Sequence, residues 1–74
     1  MPKLYSARVI IAALEKAGFS VVSQKGSHMK LVKKEEKKIY TVIVPFHKEV
    51  AVGTFSSILR QAGMTKEIFQ KFLK

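Results

Sequence analysis

The stretch KGSHMKLVKK, residues 25–34, sets one imidazole, His28, between a Gly-Ser pair and a run of lysines. Imidazole is the side chain whose ordinary titration range lies nearest neutrality, so it can both take up and release a proton there. Beside a bound phosphate, that capacity suits one reaction in particular. In RNA, a base deprotonates the 2′-hydroxyl for attack on the neighbouring phosphorus, an acid protonates the departing 5′-oxygen, and cations hold the charge that builds on the phosphate. DNA lacks the 2′-hydroxyl, so this chemistry would be confined to RNA. The plainer reading makes His28 a polar residue on a solvated, lysine-rich strand, and G-S-H alone does not separate the two.

The elements around His28 decide where it points. HMKLVKK reads as a strand, and alternation puts Met29 and Leu31 on one face and His28, Lys30 and Val32 on the other. The preceding FSVVSQK reads as its antiparallel neighbour, joined through KGS, and KIYTVIVP as a third strand closed by Pro45, which cannot donate a ladder hydrogen bond. A hairpin turning at Glu36 and Lys37 sets His28 opposite Pro45 and carries the second histidine, His47, past the strand end to the neighbourhood of Gly26. Opposed Cα atoms lie about 4.5 to 5.5 Å apart in such a ladder, so two imidazoles at this end can share a site. A slip of one residue would turn one of them to the other face. Lys25, Lys30, Lys33 and Lys34 are the phosphate-binding candidates. Tyr40 would offer a base-stacking ring if it faced outward.

Helical signals frame these strands. Val9, Ile10, Ala13, Leu14 and Ala17 recur at helical spacing over residues 7–17, with Ser6 as cap and Gly18 as stop. A second helix is expected over 54–62, with Phe55, Ile58, Leu59 and Ala62 inward, Thr54 as cap and Gly63 as stop. TKEIFQKFLK adds a short terminal helix capped by Thr65, with Ile68, Phe69, Phe72 and Leu73 on one side. Phe55, Phe69 and Phe72 belong to the core on this spacing. The order predicts an α+β fold: a three-stranded antiparallel sheet with helices packed on one face and the other face open.

The totals narrow the function classes. A chain of 74 residues has room for one domain, 1–74, with no large internal cavity. With no cysteine, neither disulfides nor a thiolate metal site is available. Fourteen Lys and Arg against five acids give a formal charge of +9, a field that concentrates polyanions, so nucleic acid is the natural partner. There is no Asp, and the glutamates at 15, 35, 36, 49 and 67 form no cluster that would hold a divalent cation. Any catalysis is therefore expected to proceed without metal or other cofactor. The apolar run from Val9 to Leu14 is far short of the ~20 residues that cross a bilayer, and no signal peptide is expected before it. A cytoplasmic protein with no membrane partner is expected.

The stretches LEKAGFSVVSQKGSHMKL and VIVPFHKEVAVGTFSSILRQAGMTKEIF resemble the HicA family of toxins from prokaryotic toxin-antitoxin pairs, over nearly the whole chain. The distinctive pieces are G-S-H before an apolar strand, P-x-H after the third strand, G-T opening the second helix and I-L-R-Q-A-G closing it. The resemblance implies a fold like the double-stranded RNA-binding domain and an endoribonuclease that cuts messenger RNA. It also implies His28 as the catalytic residue, Gly26 shaping its turn and Ser27 supporting it, His47 at the P-x-H position, and a HicB antitoxin as protein partner. Two rivals share the charge and the architecture: a noncatalytic module reading duplex RNA by shape, and a module that chiefly binds protein.

Overall fold

The computed structural model describes residues 4–73. The element order is α1 (Ala7–Lys16), β1 (Ser20–Lys25), β2 (His28–Lys34), β3 (Ile39–Pro45), α2 (Val52–Ala62) and α3 (Lys66–Lys71). The strands form one antiparallel sheet in the order β1-β2-β3, so the strand that starts at His28 is central. This is the α+β architecture that the alternation of periods predicted.

The β2–β3 register is also the expected one, with His28 opposite Pro45, Lys30 opposite Ile43 and Leu31 opposite Val42. Glu35 and Lys38 exchange backbone hydrogen bonds across the tip, 2.8 Å from Glu35 N–H and 3.3 Å from Lys38 N–H. The β1–β2 pair carries a bulge between Val21 and Ser23, which leaves Val22 as the extra residue. Beyond the bulge Lys25 stands opposite His28, joined by a two-residue turn of Gly26 and Ser27. Gly26 has φ +60° and Ser27 has no positive φ, the pattern of a type II′ turn, in which glycine takes the first central position.

One face of the sheet is sealed. Leu31, Val42 and Val44 have no exposed surface, and Ala7, Ile10, Ile11 and Leu14 of α1 bury against the same core. Those four stand at i, i+3, i+4 and i+7, a proper helical stripe. Val9, expected within that stripe, falls outside it and is exposed. Ser6 caps α1 as anticipated, its hydroxyl accepting from Val9 N–H at 3.2 Å.

α2 begins two residues before the expected start. Ala51 is its N-cap, and no side chain caps its first amides. Thr54 is therefore not the helix cap expected from the sequence: it is the third residue of α2 and borders a groove described below. The physical reason is that Val52 and Gly53 already take helical geometry, so Ala51 is the boundary residue and Thr54 falls inside the first turn. Gly63 does end α2, in the left-handed region at φ 68°, and Met64 N–H reaches back to Leu59 C=O at 3.1 Å. That is the closure helices use to satisfy their last carbonyls. Thr65 caps α3 through a 3.1 Å bond from Ile68 N–H. Phe69 is fully buried, Phe72 and Leu73 pack at the edge of the core, and Ile68 is exposed.

An aromatic trio joins the N-terminal segment, α2 and α3. Tyr5, Phe55 and Phe69 have ring centroids 4.9 to 5.4 Å apart, within the range of favourable edge-on and tilted pairs. The segment before α1 is further tied to the loop after β3, since Ala7 N–H donates to His47 C=O at 2.9 Å and Val50 N–H to Tyr5 C=O at 2.8 Å. Val50 is buried by this arrangement.

Candidate active site

His28 opens β2 on the uncovered face and is exposed. Its cross-strand neighbours there are Lys25 and Pro45. Pro45 ends β3, and the ladder closes one residue further on, where Phe46 N–H donates to Ser27 C=O at 2.6 Å. Ser27 thus holds the far end of β3 against the His28 turn through its backbone. His47 N–H then folds back onto Pro45 C=O at 2.9 Å. This tight turn directs the chain toward α2.

His28 and His47 come to line one open groove of about 510 Å³. The two histidines and Pro45 form one side, and Gly53, Thr54 and Ser57 from the first turns of α2 form the other. α2 is held beside β3 by Gln61, whose Oε1 accepts from Ile43 N–H at 3.0 Å. Ile43 lies on the outer strand of the sheet, so its N–H points away from β2 and would otherwise meet solvent. Gln61 also borders the groove. The result is a cleft between the open sheet face and a helix, lined by two imidazoles and two hydroxyls, with the uncapped amides of α2 at its end.

The lysines divide. Lys25 is paired with His28 and Lys30 with Ile43, so both share the open face with His28, although neither lines the groove itself. Lys34 shares that face but lies six residues along β2 from His28, roughly 20 Å at the usual strand rise. Lys33 points to the other face, where its ammonium contacts Glu35 at 3.4 Å and lies 5.9 Å from the Phe19 ring centroid. It is not brought together with His28. None of the five glutamates lines the groove. Among the described residues no group of three or more His, Cys, Asp or Glu is placed to hold a metal ion.

Tyr40 does not face outward. It sits on the side of β3 opposite to Ile43, with Lys38 4.8 Å over its ring and its Cε1 against Gly63, so it cannot serve as the base platform considered for it. Alternation puts it there, because Val42 and Val44 on the same face are core residues. The exposed aromatic near the histidines is Phe46, and no periodicity marks it because it lies outside every element.

A family model described as HicA toxin of bacterial toxin-antitoxin matches residues 7–64, from the first residue of α1 to just beyond α2. The chain belongs to the HicA family. It is accordingly the toxin of a toxin-antitoxin system, and membership implies an antitoxin as its partner. HicA toxins are generally ribonucleases, and every residue of the groove falls within the matched span. No curated protein matches the chain. Among the described residues no helix is long and apolar enough to cross a membrane.

Proposed function

We propose that this HicA-family toxin is a metal-independent endoribonuclease that cuts messenger RNA at His28, acting in the cytoplasm and restrained by a HicB-type antitoxin. The observation that carries this reading is the convergence of His28 and His47 on one open, glutamate-free groove, with Lys25 and Lys30 on the same sheet face as His28. One imidazole removes the 2′-hydroxyl proton, the resulting oxygen bonds to phosphorus, and the bond from phosphorus to the 5′-oxygen breaks. The other imidazole supplies the proton which that oxygen takes up. His28 fills one of these roles and His47 the other, so that charge is neutral across the two transfers. Lys25 and Lys30 stabilise the dianionic phosphorane, and the hydroxyls of Thr54 and Ser57 donate to its oxygens. Gly26 and Ser27 keep His28 at the lip of the sheet through the tight turn and the Ser27 carbonyl bond.

The deciding measurement is cleavage of end-labelled single-stranded RNA by the purified chain in excess chelator. The native chain should cut. A His28→Ala variant should lose at least about 100-fold in rate, the low end of what a proton-transferring group contributes, while melting like the native chain and retaining RNA affinity. Undiminished cutting by that variant would refute the role of His28. A salt-sensitive mobility shift without fragments would instead favour the noncatalytic RNA-binding module.

A further inference from the structure

Phe46 is unusual among the exposed apolar side chains of this protein. A lone exposed phenylalanine is ordinary on a protein surface and needs no function. Three features set this one apart. It precedes His47, and its ring is presented by the turn in which His47 N–H bonds to Pro45 C=O at 2.9 Å. Among the described residues no non-glycine residue has positive φ, so this is the inverse γ-turn common at strand ends. The backbone on both sides is anchored, by the bond of Phe46 N–H to Ser27 and of His47 C=O to Ala7 N–H, so the ring is mounted on a fixed support. The Arg8 guanidinium lies 5.8 Å from the ring centroid.

These residues make a second groove, of about 340 Å³, bordered by Ser6, Arg8, Phe46, His47 and Lys48. His47 borders both grooves, so they adjoin at that residue. A strand with a phosphate beside His28 and His47 would place an adjoining nucleotide in the second groove. We infer that Phe46, Arg8 and Lys48 form a nucleotide subsite for single-stranded RNA, in which a base stacks on Phe46 and the two cations hold the phosphate next to the one being cut. The inference rests on the ribonuclease reading and adds to it a place where the strand is gripped. The chemistry fits: every base has a π-face, an aromatic ring accepts it with little regard to sequence, and arginine both stacks on rings and pairs with phosphate. Apart from the His28 imidazole, the sheet face itself offers no aromatic ring, because His28, Lys30, Val32 and Lys34 oppose Pro45, Ile43, Thr41 and Ile39.

The test separates binding from cutting with a short, fully 2′-O-methylated single-stranded RNA, which lacks the attacking hydroxyl. Phe46→Ala and Phe46→Leu should weaken its binding roughly tenfold, within the range of one lost base stack, while Phe46→Trp should keep it. The chain has no tryptophan, so the fluorescence of Phe46→Trp reports on that position alone and should be quenched as RNA saturates. Arg8→Ala should weaken binding and flatten its salt dependence. Native-like affinity in the folded Phe46→Leu variant, or tryptophan emission unmoved by saturating RNA, overturns the subsite while leaving cleavage at His28 intact. If the alanine and leucine variants fail to fold, the tryptophan signal decides. Failure of the native chain to bind this RNA at low salt overturns both readings. Unchanged RNA affinity combined with lost antitoxin capture would also overturn the subsite, making Phe46 a protein contact.

Discussion

His28 stands directly opposite Pro45 in the β2–β3 ladder, and this pairing brings both imidazoles of the chain to one groove. Proline ends the strand because it has no N–H to give, and the next two residues turn the chain so that His47 reaches the groove that His28 lines. A register one residue different would turn β2 over, carrying His28 to the core face and Leu31, now without exposed surface, to the open one.

The attacking group in the proposed reaction belongs to the substrate, so a single 2′-deoxy nucleotide should protect the bond on its 3′ side. Fragments from all-RNA substrates should end in a 2′,3′-cyclic phosphate and begin with a 5′-hydroxyl. Mass spectrometry of the fragments checks both, and 3′-hydroxyl ends would exclude the mechanism.

His47→Ala should cost about 100-fold or more in single-turnover cleavage, since one proton transfer loses its group. Its backbone N–H and C=O, which bond to Pro45 and Ala7, are retained, so stability should change by no more than about 0.5 kcal/mol. A rate within a few-fold of native would remove His47 from the reaction.

Gly53 occupies the first turn of α2 without a positive φ, and a Cβ built there would meet nothing within 4 Å. The fold therefore does not require glycine at this position, yet the residue borders the groove opposite the histidines. Gly53→Ala should raise stability by about 0.5 to 1 kcal/mol in urea melts. It should also raise KM for RNA, because the added methyl narrows the cleft. Unchanged KM would show that substrate does not approach this wall.

Gly63 presents the reverse case. At φ +68° a Cβ would lie 2.6 Å from Tyr40 Cε1, closer than real Cβ contacts come. Gly63→Ala should lose about 2 kcal/mol or more from the combined backbone strain and overlap. A urea melt within about 0.5 kcal/mol of native would show that Tyr40 swings away without cost.

Gln61→Ala removes the acceptor for Ile43 N–H. The bond is exposed, so a loss of about 0.5 to 1 kcal/mol is expected. Hydrogen exchange should accelerate at the Ile43 amide more than at Leu31 or Val42. Equal acceleration everywhere would mean that the bond contributes to global stability and not to the placement of α2.

Much of this architecture is written in local pattern. Alternation in HMKLVKK and the proline after TVIV specify the faces and end of two strands, and the turn at Glu36 and Lys37 sets His28 opposite Pro45. Ser6, Gly63 and Thr65 mark helix boundaries through groups that act within one turn. Thr54 misled because a hydroxyl near a helix start resembles a cap whether or not the helix has already begun. Tyr40 was ambiguous for a related reason: its face follows from the core assignments of Val42 and Val44, not from its own chemistry.

Chain order and chemistry determined the element sequence, the strand register, the cationic character of the open face and the two imidazoles at one end of it, because each follows from contacts within a strand pair or a helical turn. The groove itself was decided by packing. Its second wall comes from α2, which is placed by a burial stripe shared with the whole core and by Gln61 reaching an edge amide 18 residues away in sequence. The same holds for Lys33, turned to the far face beside Phe19, and for Phe46, set beside Arg8 by the bonds joining Ala7 to His47 and Phe46 to Ser27. Such contacts between distant segments leave no periodic trace in the chain, since they depend on how rigid elements dock and not on the spacing within any one of them.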